Sequence, residues 1–167
     1  MALRLWNAYG PGQALSNPYT GVLAIFASRL LNGQPPLIFE DGGQRRDFVH
    51  VNDVARAFAD ALELPQAAGG TFNIGSGRDR SVREVAHELA RAMNKTGIEP
   101  EIVGKSRTGD IRHCFCDPKL ARDVLDFEAT EDFGARLEEL AEWVSTQTAD
   151  DRVDTARGEL EKRGLVG

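Results

Sequence analysis

Apolar positions in the first third of the chain fall into one short run and one helical pattern. Ala2–Leu5, three apolar residues interrupted by Arg4, looks like a buried strand, and a glycine- and proline-rich turn at residues 9–12 follows it. Gly21 and a breaker at residues 32–36 bound a stretch with apolar side chains at helical spacing. The predicted helix carries Val22, Leu23, Ile25, Phe26, Leu30 and Leu31.

The next segment alternates short strands with a helix. Residues 37–39 and 47–51 predict two strands on either side of a glycine turn at residues 41–43. Asn52 or Asp53 can cap the helix that follows. Its predicted inner face consists of Val54, Phe58, Ala61 and Leu62. Residues 71–74 predict another strand, which a Gly-Ser-Gly turn closes.

Helical patterns dominate the remainder. Ser81 and Glu84 have the spacing of a capping box. The stripe behind it consists of Val82, Val85, Ala86, Leu89, Ala90 and Met93. Residues 102–103 suggest a strand, and Asp117 before Pro118 marks a helix start. A last helix carries Phe133, Leu137, Leu140, Ala141 and Val144 on one face. Residues 148–167 are polar and predict a frayed or partly helical tail.

Composition narrows the range of partners. The chain of 167 residues is long enough for one domain with a core. A net charge of −6 argues against nonspecific binding to nucleic acid or acidic membranes, so an anionic ligand would need a local arginine cluster. The sequence contains neither a signal peptide pattern nor a membrane-length apolar run, and we expect a cytoplasmic protein. Cys114 and Cys116, even with His113, are too few for a structural zinc site, and we expect reduced thiols.

Three positions could contact an anion or a polar ligand. Arg46 lies between a glycine turn and a strand, where a guanidinium can grip a phosphate or simply form a solvated charge pair with its neighbours. Arg107 belongs to an Arg-Thr-Gly-Asp sequence of a kind that also recurs by chance in loops. Asn7 ends the first strand, where it faces the ligand crevice of an open α/β sheet or satisfies the following turn.

Read in order, the segments LRLWNAYGPG (3–12), PLIFEDGGQRRDFVHVNDV (36–54) and RTGD (107–110) resemble a known family. They are similar to the carboxyl-terminal half of the nucleotide-sugar epimerases and dehydratases, an extended branch of the short-chain dehydrogenase/reductases. The resemblance covers residues 2–143. It implies an α/β fold in which strands of a partial Rossmann-type sheet join a small α/β substrate-binding domain. Residues 1–147 would form this part, and residues 148–167 the polar tail.

The resemblance also implies a diphosphate site. Arg46 aligns with the family arginine on the substrate diphosphate, whereas Arg45 would be exposed. Arg107 would be the second clamp on the diphosphate, and Asp110 would accept a hydrogen bond from a ribose hydroxyl. Asn7 would contact the phosphate or the sugar. Two departures from the family pattern are the Asp-Gly-Gly order at residues 41–43 and the Cys-Asp-Pro-Lys sequence at residues 116–119.

The same resemblance suggests contacts with the base and with the cofactor. Phe39 takes the aromatic or apolar position near the nucleotide base, although packing beside Leu37 would explain it equally well. Val22 and Leu23 would offer backbone groups to the base. Leu5 and Trp6 would lie near the nicotinamide of NAD, the cofactor of the intact family enzyme.

Two family motifs are not in this sequence: the dinucleotide-binding glycine loop and the Tyr-x-x-x-Lys pair. We therefore predict no catalytic residue and no metal ligand, and we expect a truncated chain, a split gene product or a fragment that is inactive alone. A separate amino-terminal half is an expected partner. A homodimer is doubtful because the family's pairing helices lie upstream of this segment.

Several functions remain open at this stage. The segment at residues 13–21 looks most similar to 4-epimerases of UDP- or dTDP-sugars, so the substrate-binding half of such an enzyme is the first hypothesis. A 4,6-dehydratase or decarboxylase of the same branch is the second. A noncatalytic module that binds a nucleotide sugar or a partner, or an inactive remnant, are the alternatives from other classes.

Overall fold

The computed structural model describes residues 1–17, 21–149, 151 and 153–166, which form a mixed α/β fold of the predicted class. The strands are β1 Ala2–Leu5, β2 Asn7–Tyr9, β3 Leu37–Ile38, β4 Arg45–His50, β5 Thr71–Ile74, β6 Asp79–Ser81, β7 Glu101–Ile102 and β8 His113–Cys114. The helices are α1 Val22–Leu31, α2 Val51–Glu63, α3 Val82–Ala92, α4 Lys119–Leu125, α5 Phe133–Ser145 and α6 Val153–Lys162.

Most strand pairs are parallel. β1 lies beside β5, β2 lies beside β4, and β3 lies beside β7, all in parallel. β4 also pairs with β8 in parallel and with β6 in the antiparallel direction. The loops that lead into β6 and β8 therefore both end beside β4.

One expectation about the strands, the burial of β1, is wrong. β3 and β4 flank the glycine turn as predicted, but β3 pairs with β7 and β4 with β2, so the turn does not close a hairpin. β1 is a strand, but it is largely exposed and Leu5 is 43% exposed, because β5 is its one strand neighbour among the described residues. Apolar composition indicated burial, whereas burial depends on which elements cover the strand.

The helices with the clearest periodicity form as predicted. α3 starts with the expected capping box: Ser81 Oγ accepts from the Glu84 amide at 3.1 Å, and the Glu84 carboxylate accepts from the Ser81 amide at 2.8 Å. The buried residues of α5 are the predicted set Phe133, Leu137, Leu140, Ala141 and Val144. Together with α1, these helices cover one apolar core.

The predicted inner face of α2 is half wrong. Val54 and Ala61 are buried, but Phe58 is 46% and Leu62 is 78% exposed. The cap is also different, because the imidazole Nδ1 of His50 accepts from the Asn52 amide at 3.3 Å. Asp53 instead turns inward, fully buried. The buried side of α2 thus consists of Asp53, Val54, Ala57 and Ala61, and Phe58 and Leu62 lie on its outer side.

A second core lies between α2, α4 and β5. The buried carboxylate of Asp53 ties the loop before α5 to this core. Asp53 accepts from the Thr130 and Glu131 amides at 3.1 and 3.2 Å. α4 begins one residue later than predicted, with Pro118 at the N-cap and the Asp117 carboxylate accepting from the Lys119 amide at 2.9 Å.

The described part of the chain contains no helix with the length and apolar character that a bilayer crossing requires. Cys114 and Cys116 are both free thiols, and Cys116 is buried.

Candidate functional site

A cavity of about 390 Å³ brings together side chains from distant parts of the chain. The predicted site residues that line it are Asn7, Val22, Phe39, Arg46, Arg107 and Asp110. They come from β2, the start of α1, the segment after β3, β4 and the loop before β8. The volume lies within the roughly 300–1,000 Å³ range of small-molecule sites.

Arg46 is positioned by its own strand and by the loop opposite. Its Nη1 donates to the backbone carbonyls of Arg45 at 2.9 Å and Arg112 at 2.8 Å, and its Nη2 donates to the carbonyl of Ile111 at 2.7 Å. Within the described residues these bonds use three of the five guanidinium N–H groups. Two donors therefore remain for a ligand, and the side chain also holds the loop that carries Arg107.

Arg107, Phe39 and Asp110 form one contact group. The guanidinium carbon of Arg107 lies 4.8 Å from the centroid of the Phe39 ring, a cation–π distance. Arg107 Nε donates to the Asp110 carboxylate at 3.1 Å. The arginine is thus held between a ring and a carboxylate, with a planar cation and an aromatic surface side by side in the cavity.

Asn7 has a structural contact as well as a place in the cavity. Its amide Nδ2 donates to the Asp47 carbonyl at 2.8 Å, across the β2–β4 pair. This bond fixes the orientation of the side chain and uses one of its donor groups. The carbonyl oxygen of the amide is thereby set for a second partner.

A further arginine, which the sequence analysis did not single out, ties the glycine turn to the same loop. Arg112 pairs with the carboxylates of Glu40 and Asp41. The pKa of Asp41 falls to about 2, mainly because the Arg112 guanidinium donates to it and the Gly43 amide adds a second bond. The two acidic side chains beside Phe39 are therefore neutralised locally, which favours an anionic ligand in an acidic protein.

Arg45 turns away from Arg46. It forms an ion pair with Asp79 on β6, and its side chain remains 41% exposed. The pair of adjacent arginines thus divides into one that lines the cavity and one that lies on the far side of the strand.

The C-terminal helix α6 supplies the remaining wall. Val153, Ala156, Arg157 and Leu160 line the cavity. No residue of this segment was among the predicted site residues, because its polar composition suggested a tail. The apolar residues at 153, 156 and 160 are three and four positions apart, and this helical spacing is the signal that could have indicated a packed helix.

The other predicted residues lie outside the cavity. Leu23 of α1 is buried in the core and does not line the cavity. Leu5 is exposed, and Trp6 is half-buried with an indole N–H that has no partner among the described residues. Residues 18–20 of the segment that suggested a 4-epimerase lie outside the described part of the chain.

The glycine turn after β5 is a structural turn and not a pyrophosphate site. The glycine turn after β5 has its amides occupied: Ser76 and Gly77 donate their N–H groups to the Asp47 carboxylate, each at 2.8 Å. These amides cannot also hold a pyrophosphate. Across the described residues there is likewise no group of three His, Cys, Asp or Glu placed to hold a metal ion.

Comparison with known proteins gives consistent matches. The family described as "NAD dependent epimerase/dehydratase family" matches residues 1–75. Over 146 residues, 87% of this chain and 39% of the relative, the sequence is 37% identical to a dTDP-L-rhamnose 4-epimerase of Burkholderia thailandensis.

Two solved structures resemble the fold closely. One is a UDP-N-acetylglucosamine 4-epimerase of Methanobrevibacter ruminantium in complex with UDP-N-acetylmuramic acid, with a TM-score of 0.81 and 31% identity over 88% of this chain and 46% of that one. The other is a UDP-glucose 4-epimerase of Thermus thermophilus in complex with NAD, with a TM-score of 0.71 and 31% identity over 87% and 46%. The chain thus spans less than half the length of these proteins, and its strands match part of a Rossmann-type fold.

Proposed function

Because the chain belongs to the NAD-dependent epimerase/dehydratase family, we propose that it is the substrate-binding part of a nucleotide-sugar 4-epimerase for a UDP- or dTDP-sugar. The observation that carries this proposal is the convergence of Arg46, Arg107 and Phe39, from three separate segments, on one cavity. The names of the three relatives given above, all 4-epimerases, support the reaction type.

The contacts suggest how the ligand lies. The diphosphate takes the two remaining donors of Arg46 and the exposed edge of Arg107, since a guanidinium matches phosphate oxygens in a two-pronged contact. The base lies against Phe39, next to the guanidinium that already stacks on that ring. Asp110 accepts from a ribose hydroxyl, and Asn7 offers its amide oxygen to the sugar.

Chemistry at the sugar needs groups beyond those described. NAD, the family's cofactor, supplies hydride transfer when bound, and the glycine turn after β5 does not hold its pyrophosphate because the Ser76 and Gly77 amides bond Asp47. This chain contributes binding and orientation only. In our proposal residues 1–147 carry that role, Leu5 and Trp6 lie at the border with the nicotinamide, and no residue of this chain is catalytic.

An amino-terminal half is the proposed partner. Two observations support it: β1 has one strand neighbour among the described residues, and the outer face of α2 exposes Val51, Phe58 and Leu62. The free edge of a strand offers a row of backbone donors and acceptors, and an apolar helix face offers area to bury.

Calorimetric titration with UDP and dTDP tests the binding function. We expect binding of both nucleotides, and weaker binding by about tenfold in Phe39→Ala, which loses stacking worth about 1–3 kcal/mol per base. Phe58→Ala is the matched control because Phe58 is an exposed ring on α2 outside the cavity. The proposal fails if the wild-type chain binds neither nucleotide, or if the two variants lose affinity equally.

A further inference from the structure

The C-terminal segment, described at residues 149, 151 and 153–166, is attached to the molecule at both ends, around the cavity. At its start, Asn32 donates from Nδ2 to the Ala149 carbonyl at 2.9 Å, and buried Arg29 pairs with Asp151 at 3.3 Å and Asp154 at 3.2 Å. Arg29 is only 3% exposed, so its charge depends on these partners. The helix start is therefore fixed to α1.

The end of the segment pairs with the loop that carries the predicted diphosphate arginine. Arg107 and Val166 form an antiparallel bridge, and the Thr108 amide donates to the Leu165 carbonyl at 2.8 Å. Lys105 Nζ lies 2.9 Å from the Glu161 carboxylate. α6 consequently spans the cavity from α1 to the Arg107 loop rather than lying free as a tail.

Arg157 is the cation that α6 brings into the cavity. It lines the same wall as the apolar residues Val153 and Leu160. Its Nε lies 3.5 Å from the Glu161 oxygen that Lys105 holds at 2.9 Å, so Arg157 is the more distant of the two cations around that carboxylate. Such a long contact exchanges easily for a shorter one to an anion.

The charges lining the cavity suggest the same ligand. The described lining residues with positive charge are Arg46, Arg107 and Arg157, and those with negative charge are Glu40 and Asp110. Both acids already have arginine partners, Arg112 and Arg107. Arg157 can therefore serve a ligand whose negative charge exceeds what the partly engaged guanidiniums of Arg46 and Arg107 neutralise.

We propose that Arg157 is a third phosphate-binding residue of the nucleoside-diphosphate site. The C-terminal segment belongs to this site because α6 brings Arg157 into the cavity and because Val166 holds the Arg107 loop through the β-bridge. This inference rests on the proposed function and names a residue and an element of the same site. It also predicts that removal of the C-terminal segment alters ligand binding as well as stability.

Titration of Arg157→Ala with UDP, UMP and uridine tests the proposal. We expect the affinity for UDP to fall about tenfold, the affinity for UMP to fall less, and that for uridine to stay unchanged, because a phosphate contact is lost. Lys162→Ala is the matched control: it removes one positive charge from the same helix at a residue that does not line the cavity. Arg157→Glu should weaken UDP binding further than Arg157→Ala.

Protection of α6 from amide hydrogen exchange supplies an independent readout. UDP should protect residues 153–160 in the wild-type chain, and this protection should be lost in Arg157→Ala while the melting temperature stays close to that of Lys162→Ala. If the wild-type chain binds UDP but Arg157→Ala and Lys162→Ala titrate alike, the role of Arg157 is overturned and the proposed function stands. If the wild-type chain binds no nucleotide, both fall together.

Discussion

At the scale of single residues, polar side chains serve the fold and the site at once. Arg46 holds two carbonyls of the loop before β8 and also faces the cavity. Asn7 bonds the β4 backbone and lies in the same cavity. The positions that motif comparison marks for the ligand are thus partly structural, and an experiment on them needs a separate measure of stability.

Asp47 is the residue whose structural role stands most clearly apart from binding. It is fully buried and accepts from Ser76 Oγ at 2.7 Å, from the Ser76 and Gly77 amides at 2.8 Å each, and from the Cys116 amide at 3.3 Å. Asp47→Ala leaves these buried donors without an acceptor. We expect a loss of about 3–5 kcal/mol in the free energy of unfolding.

Urea unfolding measures this loss. Asp79→Ala is the control, because it removes a carboxylate that is 35% exposed and pairs only at the surface with Arg45. Its cost should stay below about 1 kcal/mol. Equal losses for the two variants would show that the Asp47 network adds nothing beyond a surface ion pair.

At the scale of elements, periodicity predicted the helices that have a single apolar stripe. α5 buries its whole predicted set, and α3 buries four of the six predicted residues while Val82 and Met93 at its ends are partly buried. α2 differs because His50 and Asp53 turn inward, and a search for apolar spacing cannot detect that a carboxylate will be satisfied by the distant amides of Thr130 and Glu131. Strand pairing was missed for the same reason: β3 meets β7 across more than sixty residues.

The site was predictable to the extent that motifs carry it. Arg46 and Arg107 were identified by resemblance and do line one cavity. The position of α6 beside the cavity was not predictable from motifs, because its mixed charges indicate a solvated tail. The contacts of buried Arg29 with Asp151 and Asp154 show instead that the segment is attached to α1. A buried cation at position 29 has no signature in the sequence of α1.

The N-terminus of α2 should make stability depend on pH. Burial lowers the pKa of His50 below the ordinary 6.5, although Glu139 at 3.6 Å acts in the opposite direction. The unfolded chain then binds more protons than the folded chain as pH falls through about 6.5, so the free energy of unfolding decreases on acidification.

Thermal melts between pH about 7.5 and 5.5 test this, with His50→Asn for comparison. Asparagine retains an acceptor at the N-cap but does not titrate. The melting temperature of the wild-type chain should fall more steeply with acidification than that of the variant. Parallel curves would mean that His50 does not contribute to the pH dependence.

At the scale of the whole molecule, the chain combines the cavity with an exposed strand β1 and an exposed apolar face of α2. Mixing it with the amino-terminal half of a related epimerase should raise its melting temperature, because β1 gains a strand neighbour and the outer face of α2 becomes buried. The chain alone should leave UDP- and dTDP-sugars unchanged in the presence of NAD.

Size-exclusion chromatography of the mixture, with Leu62→Glu as the control for the α2 face, measures the association. Leu62 is 78% exposed, so this variant should fold normally and bind the partner less well. Turnover by the chain alone, or no complex with any related amino-terminal half, would contradict the assignment as a substrate-binding part.

In the proposed function, Arg46 and Arg107, about sixty residues apart in sequence, hold one diphosphate. Calorimetric titration with UDP and dTDP of Arg46→Ala, Arg107→Ala and Arg45→Ala tests it most directly. Each charge-assisted contact is worth roughly 1.5–3 kcal/mol, so the first two variants should bind about tenfold to a hundredfold more weakly. Arg46→Lys should bind more tightly than Arg46→Ala because it keeps the charge. It should still bind more weakly than the wild-type chain, because an ammonium cannot make the two-pronged contact.

Arg45→Ala is the decisive control, because Arg45 pairs with Asp79 and does not line the cavity. We expect Arg45→Ala to bind UDP and dTDP as tightly as the wild-type chain, and all variants to retain the wild-type circular dichroism spectrum. Equal weakening by Arg45→Ala and Arg46→Ala would mean a diffuse electrostatic effect, and would contradict the diphosphate site.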